Sequence, residues 1–180
     1  MNIFVGCSSI ETDNEVYNET ARKMGNFIVE GNHNLIFGGC DVGLMGRVYS
    51  IVSKSPKSEV FVAAAKAYED CLQPFLASKS HIFGTINQRK DAFIALSDVA
   101  VFLPGGIGTV DELLAVIETK RAHEHNLPII IVNEGGHFNH LLNFFEKIYD
   151  EGFAEARTRQ LYFVAKTFDE AAKRLSNISK

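Results

Sequence analysis

Cysteine is scarce in this chain: Cys7, Cys40 and Cys71 are the only three, an odd number without disulfide-like or metal-like spacing, which points to reduced thiols. No run of about 18 apolar residues occurs, so no membrane-spanning helix is expected. Positive charge is not in excess: 18 Lys and Arg against 22 Asp and Glu leave a net charge of −4, which argues against general nucleic-acid binding. The segment Met1–Glu15 lacks a basic start and a long apolar stretch, so it reads as a first strand and a cytoplasmic protein is expected. The six histidines show no metal-ligand pattern; His137 and His140 are three apart at a helix start but lack a third ligand, so no metal is expected. No Ser–His–Asp set can be assembled, and Ser8 and Ser9 are not on a nucleophile elbow. Internal repeats, low-complexity stretches and linkers are also missing, which leaves one domain over residues 1–180.

What is present is a hydrophobic content of 46% arranged in alternating strand-length and helix-period segments. Strands are expected at Ile3–Cys7, Asn34–Phe37, Glu59–Ala64, Asp98–Leu103, Pro128–Val132 and Leu161–Val164. Helices are expected at Glu15–Glu30, Val42–Lys54, Asn87–Leu96, Val110–Arg121, His137–Glu151 and Phe168–Ser176. Such alternation predicts an α/β fold of right-handed βαβ units, a parallel sheet with helices on both faces. Periodicity is poor from Ala65 to Ile86, where a partly helical excursion over the site is expected. Phe144 and Phe145 are expected to pack their helix onto the core.

Open parallel sheets bind ligands beyond the carboxyl ends of their strands. Three turns fall there: Gly6-Cys7-Ser8-Ser9, Gly38-Gly39-Cys40-Asp41-Val42-Gly43 and Pro104–Thr109. The last is the most telling, because it continues into Val110-Asp111-Glu112 and opens a helix. Gly105, Gly106 and Gly108 let backbone approach a phosphate, the first-turn N–H groups have no helical partners, and Thr109 adds a hydroxyl. Glu112 follows about one turn later; a carboxylate beside a phosphate cradle is unfavourable unless chemistry needs it, so Glu112 is the candidate catalytic carboxylate. The competing reading is a tight turn followed by an ordinary first-turn acid. Asp111 points about 100° away and reads as a helix-start acid or an oligomer contact. Ser8 and Ser9 suit phosphate or ribose hydrogen bonds, Gly38 and Gly39 leave room for a ligand, and Gly46 suits helix–sheet packing. Asp41 reads as a helix cap in preference to a ligand contact. Arg89-Lys90, upstream of the cradle, is the nearest source of the cation an anionic site needs.

The segments Val5–Ser9, Phe37–Gly46, Gln88–Lys90, Pro104–Leu113 and Pro128–Phe153 together resemble the LONELY GUY-type proteins, also filed as "possible lysine decarboxylases", among Rossmann-like nucleotide-binding domains. The resemblance covers most of the chain, with departures at Cys40-Asp41, at Ile86-Asn87-Gln88 and through Val60–Ile86. It implies a phosphoribohydrolase that splits the N-glycosidic bond of a purine or cytokinin nucleoside 5'-monophosphate, giving free base and ribose 5-phosphate. It implies Arg89 and Glu112 as the essential pair and Ser8, Gly39, Arg89, Lys90, Gly105, Gly106, Gly108 and Thr109 as the substrate-binding set. It further implies a homodimer and no cofactor, and the chain carries no convincing lysine on a pyridoxal-binding motif. The alternative on the same fold is a non-catalytic nucleotide-binding sensor or carrier.

Overall fold

The computed structural model describes residues 1–71, 77 and 79–178. Seven strands form one all-parallel sheet: β1 (Asn2–Gly6), β2 (Asn34–Phe37), β3 (Val60–Ala65), β4 (Lys79–Phe83), β5 (Val99–Phe102), β6 (Ile129–Val132) and β7 (Phe163–Ala165). The helices are α1 (Glu15–Glu30), α2 (Gly43–Val52), α3 (Ile86–Leu96), α4 (Ile107–Arg121), α5 (Asn139–Asp150) and α6 (Phe168–Ile178). The sheet order is β4-β3-β2-β1-β5-β6-β7, so the chain winds outward from β1 in one direction, then crosses back to β5 and winds in the other. The switch point between β1 and β5 opens a crevice at their carboxyl ends.

Burial explains the strand sequences. β2, β5 and β6 read Asn-Leu-Ile-Phe, Val-Ala-Val-Phe and Ile-Ile-Ile-Val, nearly continuous apolar runs, because helices cover both faces. One core layer joins Ile3, Val5, Leu35 and Val101 to Met24 and Ile28 of α1, Leu44 and Val48 of α2 and Leu175 of α6. The opposite layer joins Phe4, Ile36, Ala100 and Phe102 to Phe93 of α3 and to Leu113 and Val116 of α4. Phe4 stacks on Phe93 at 4.2 Å between ring centroids and meets Phe102 edge-on at 5.6 Å, which fixes α3 across the middle of the sheet.

The helix starts follow local chemistry. Asn14 caps α1 by accepting from the Val16 and Tyr17 amides. Thr85 and Gln88 form a reciprocal capping box at α3. Asp41 does not cap α2, contrary to expectation: Val42 holds the cap position without a side-chain bond, and Asp41 is exposed. The Gly43 amide instead donates to Glu11 from the β1 loop at 3.3 Å.

Strand β4 is the main correction to the sequence-based elements, in which Ala65–Ile86 held only a partly helical excursion. Lys66–Cys71 is a 3-10 turn as that reading allowed, residues 72–76 and 78 lie outside the described set, and Lys79–Phe83 is an added strand. Its sequence, Lys-Ser-His-Ile-Phe, is largely exposed at the sheet edge, so it carries no burial pattern from which a strand could be read. Phe145 packs beside Tyr162, but Phe144 is exposed and takes no part in the core. Among the described residues no helix is long and apolar enough to cross a membrane.

Candidate active site at the crossover of the sheet

The three turns meet at the switch point and are stitched together by backbone. The Ser8 amide donates to the Pro104 carbonyl at 3.0 Å, and the Met45 amide donates to the Ser8 carbonyl at 3.0 Å. Gly43, at φ +67°, must lack a side chain, because a Cβ would stand 2.6 Å from the Ile10 carbonyl oxygen. These contacts enclose a cavity of about 400 Å³ whose wall includes Ser8, Gly39, Arg89, Gly106, Thr109 and Glu112. Cys7 and Cys40 also face it; burial, with Glu112 nearby, pushes the Cys7 thiol well above its usual range, which keeps it inert.

Helix α4 begins at the cavity. Its cap residue is Gly106, and no side chain caps it, so first-turn amides are available to an anion. A Cβ built on Gly106 or Gly108 would meet nothing within 4 Å, and neither residue needs a positive φ. Packing and backbone strain therefore do not explain these two glycines. Gly105 differs. A Cβ there would lie 2.1 Å from the Thr109 hydroxyl oxygen, and its N–H and C=O lie 3.2 and 2.8 Å from His137 Nε2. Gly105 shapes the turn from behind rather than lining the cavity.

Opposite-charge doublets on two helices then meet as two rungs. Arg89 Nη2 donates to Glu112 Oε1 at 2.5 Å, with both side chains less than one-tenth exposed. Lys90 Nζ lies 2.9 and 3.0 Å from the two Asp111 carboxylate oxygens on the outer rung. Lys90 is thereby engaged with Asp111 and does not line the cavity. Asp111 is a helix–helix contact. The sequence reading brought Arg89 to the ligand side by a loop folding across the crevice. The structure does it otherwise: β4 is parallel to β3, so α3 starts at the carboxyl edge with Arg89 in its first turns.

The inner rung is costly. Burial raises the Glu112 carboxyl to about 7, against the opposing pull of Arg89. Among the described residues Arg89 Nε is buried with no hydrogen-bond partner, an orphan donor worth about 1–3 kcal/mol against folding. Well-packed apolar residues would serve stability better than such a pair. An Arg–Glu pair held dry at a cavity wall, with a spare donor and a carboxyl poised near neutrality, suits proton handling and stabilisation of developing positive charge.

Ser8 reaches the cavity, but its hydroxyl already donates to the Ile10 carbonyl at 2.9 Å and accepts from the Ile10 amide at 3.0 Å. Gly39, at φ +81°, lies just beyond the end of β2 and lines the cavity. Gly46 has no room for a side chain, but the obstacle is the turn leading into α2 and not the sheet: a Cβ would fall 2.0 Å from the Asp41 carbonyl oxygen. Sequence reasoning missed two neighbours. His137 anchors the Gly105 turn, and Tyr68 lies over Arg89. Neither carries a local signal, because each matters only through a residue distant in sequence.

A protein-family match described as "Possible lysine decarboxylase" spans residues 48–175. The chain is 32% identical over 177 residues to the cytokinin riboside 5'-monophosphate phosphoribohydrolase LOG4 of Arabidopsis thaliana, covering 98% of this chain and 82% of that protein. It is 30% identical over 177 residues to a probable cytokinin riboside 5'-monophosphate phosphoribohydrolase, LOGL2 of Oryza sativa subsp. japonica, covering 98% and 72%. Among solved structures, a molybdenum cofactor binding protein from Rippkaea orientalis superposes with a TM-score of 0.69 at 17% identity over 99% of this chain and 97% of that one. The molybdenum cofactor carrier protein of Chlamydomonas reinhardtii gives 0.69 at 18% over 98% and 96%. At such identities the structural likeness establishes the Rossmann-like fold alone. The sequence matches go further: this chain belongs to the LONELY GUY (LOG) family, filed as possible lysine decarboxylases.

Proposed function

We propose that the chain hydrolyses the N-glycosidic bond of a nucleoside 5'-monophosphate, releasing free base and ribose 5-phosphate. One observation carries the reading: the buried Arg89–Glu112 pair stands about one helical turn from the uncapped start of α4. The 5'-phosphate sits on the amides of Gly106–Thr109, with the Ser8 and Gly39 turns closing around it. That remote binding positions the anomeric carbon beside Glu112. As the C1'–N bond breaks, its electron pair leaves with the base and positive charge grows on the ribose ring. The Glu112 carboxylate stabilises that charge and orients the water whose oxygen bonds to C1'. A proton from that water balances the departing base, and the Arg89 guanidinium, which lines the cavity, steadies the leaving group or the phosphoribose. The names of the relatives favour a purine or cytokinin nucleotide.

Lysine decarboxylation fits poorly. Pyridoxal enzymes hold their cofactor on a lysine, and among the described residues no lysine lines the cavity. Incubation with AMP, isopentenyl-AMP and pyrimidine monophosphates, followed by chromatography for free base, tests the assignment. Base from one or more of them supports it; binding without release makes the chain a sensor or carrier instead.

Gly108→Ala checks the cradle separately. The methyl group fills open space at the helix start and is expected to raise stability by about 0.5 kcal/mol, since alanine is the better helix residue. The same methyl stands where the phosphate belongs, so KM for the nucleotide should rise about tenfold or more, a loss of one or two phosphate contacts. A stabilised variant with unchanged KM would move the phosphate elsewhere.

The proposal extends to a homodimer. Leu114 and Phe153 are exposed and line a second cavity of about 790 Å³ between α4, α5 and the segment after it. A second copy covering this apolar face would bury it. Light scattering should give twice the 20.0 kDa chain mass, and a monomer would remove this part.

A further inference from the structure

We infer that Tyr68 is the platform on which the nucleobase stacks, and hence a specificity-determining residue of the cavity; the inference rests on the nucleotide reading above. Tyr68 lies in the 3-10 turn Lys66–Cys71, directly after β3, on the same carboxyl edge as the other ligand turns. Its ring is 5.3 Å from the Arg89 guanidinium carbon, which is also 5.2 Å from the ring of Phe93. Phe93 is buried in the core and is spent on Phe4. Tyr68 is 42% exposed and lines the cavity, so it still has surface to offer.

The order of groups along the cavity supports the assignment. The amides of Gly106–Thr109 come first, Glu112 follows one turn along α4, Arg89 touches Glu112, and Tyr68 touches Arg89. A nucleoside monophosphate presents phosphate, anomeric carbon and base in that sequence. With phosphate at the helix start and C1' at Glu112, the base falls at the Arg89–Tyr68 end. An aromatic ring there offers a planar heterocycle offset stacking, and the guanidinium beside it offers donors to ring nitrogens. Ribose 5-phosphate has no base and gains nothing from Tyr68.

That difference supplies the test. In Glu112→Gln protein, which should bind without turnover, calorimetry would measure AMP and ribose 5-phosphate with Tyr68, Tyr68→Leu and Tyr68→Phe. Leucine should weaken AMP about tenfold, the loss of one base–aromatic stack, and change ribose 5-phosphate less than about twofold. Phenylalanine, which keeps the ring, should restore AMP binding. Equal weakening of both ligands would make Tyr68 only a prop for Arg89, and unchanged AMP binding in the leucine variant would show that the base lies elsewhere; either overturns the inference. If ribose 5-phosphate and AMP both fail to bind with Tyr68 in place, the phosphate cradle itself falls and this inference falls with it.

Discussion

Glu112→Gln is expected to lower the rate of base release about 10²–10⁴-fold while the protein still folds and binds AMP. Glutamine has the same shape, keeps an oxygen to accept from Arg89 Nη2, and leaves the α4 start untouched. What it lacks is the negative charge that faces the ribose as the transition state becomes cationic. Low-dielectric surroundings make that charge count, because little water competes with it. The same argument fixes the pH dependence. Burial lifts the Glu112 carboxyl to about 7, and the reactive form is the carboxylate. Activity should therefore be low in acid, rise with pH through about 7, and level off above it. The glutamine variant should show no such limb in its residual rate. Rates by chromatographic detection of adenine over that range decide the matter. Full activity in the glutamine variant, or a flat wild-type profile, would remove Glu112 from the chemistry.

Arg89→Met should be nearly as damaging at neutral pH, through the same carboxylate. Arg89 is the nearest cation to Glu112 and the first of the influences that hold its carboxyl down. Without it, only the weaker pull of Lys90 opposes desolvation, and Glu112 takes up a proton more readily than in the parent protein. The acid limb should move to higher pH, with a loss of about 10²-fold or more near neutrality and partial recovery in base. Stability gives an independent reading. A carboxyl whose folded pKa lies above its unfolded value favours folding in acid, and that advantage is lost as pH rises through the folded pKa. The variant should therefore melt closer to the parent at pH about 5 than at pH about 8, where an unpaired buried carboxylate can cost about 3–5 kcal/mol. An acid limb that stays in place would show that Arg89 acts on the substrate alone. Arg89→Lys should fall between: it keeps a charge but loses the planar fork and the Nε donor.

Much of the fold is legible in the chain without coordinates. Helix Glu15–Glu30 and strand Asn34–Phe37 follow from periodicity residue for residue. The remaining sequence-predicted helices and strands occur with ends displaced by a few residues. Local order of this kind is visible because a helix or strand buried on one or two faces repeats its apolar residues at the period of its own geometry. The glycine-rich start of α4 and the acid one turn beyond are legible for a similar reason: cradle and carboxylate lie within nine consecutive residues, Pro104–Glu112.

Partner choice is a property of space and could not be read so. The sequence put Arg89 and Lys90 near an anion; only the folded chain sends Arg89 inward to Glu112 and Lys90 outward to Asp111. It does so because β4, an exposed edge strand with no buried face to mark it, delivers α3 to the carboxyl edge of the sheet. His137 behind Gly105 and Tyr68 over Arg89 are further cases, joined across 32 and 21 residues of chain. Residue order alone thus determined the layers, the crevice and the acid beside it. Which cation reaches that acid, and whether water is kept from the pair, was decided by tertiary packing, since pairing distance and dielectric exist only after distant segments have met.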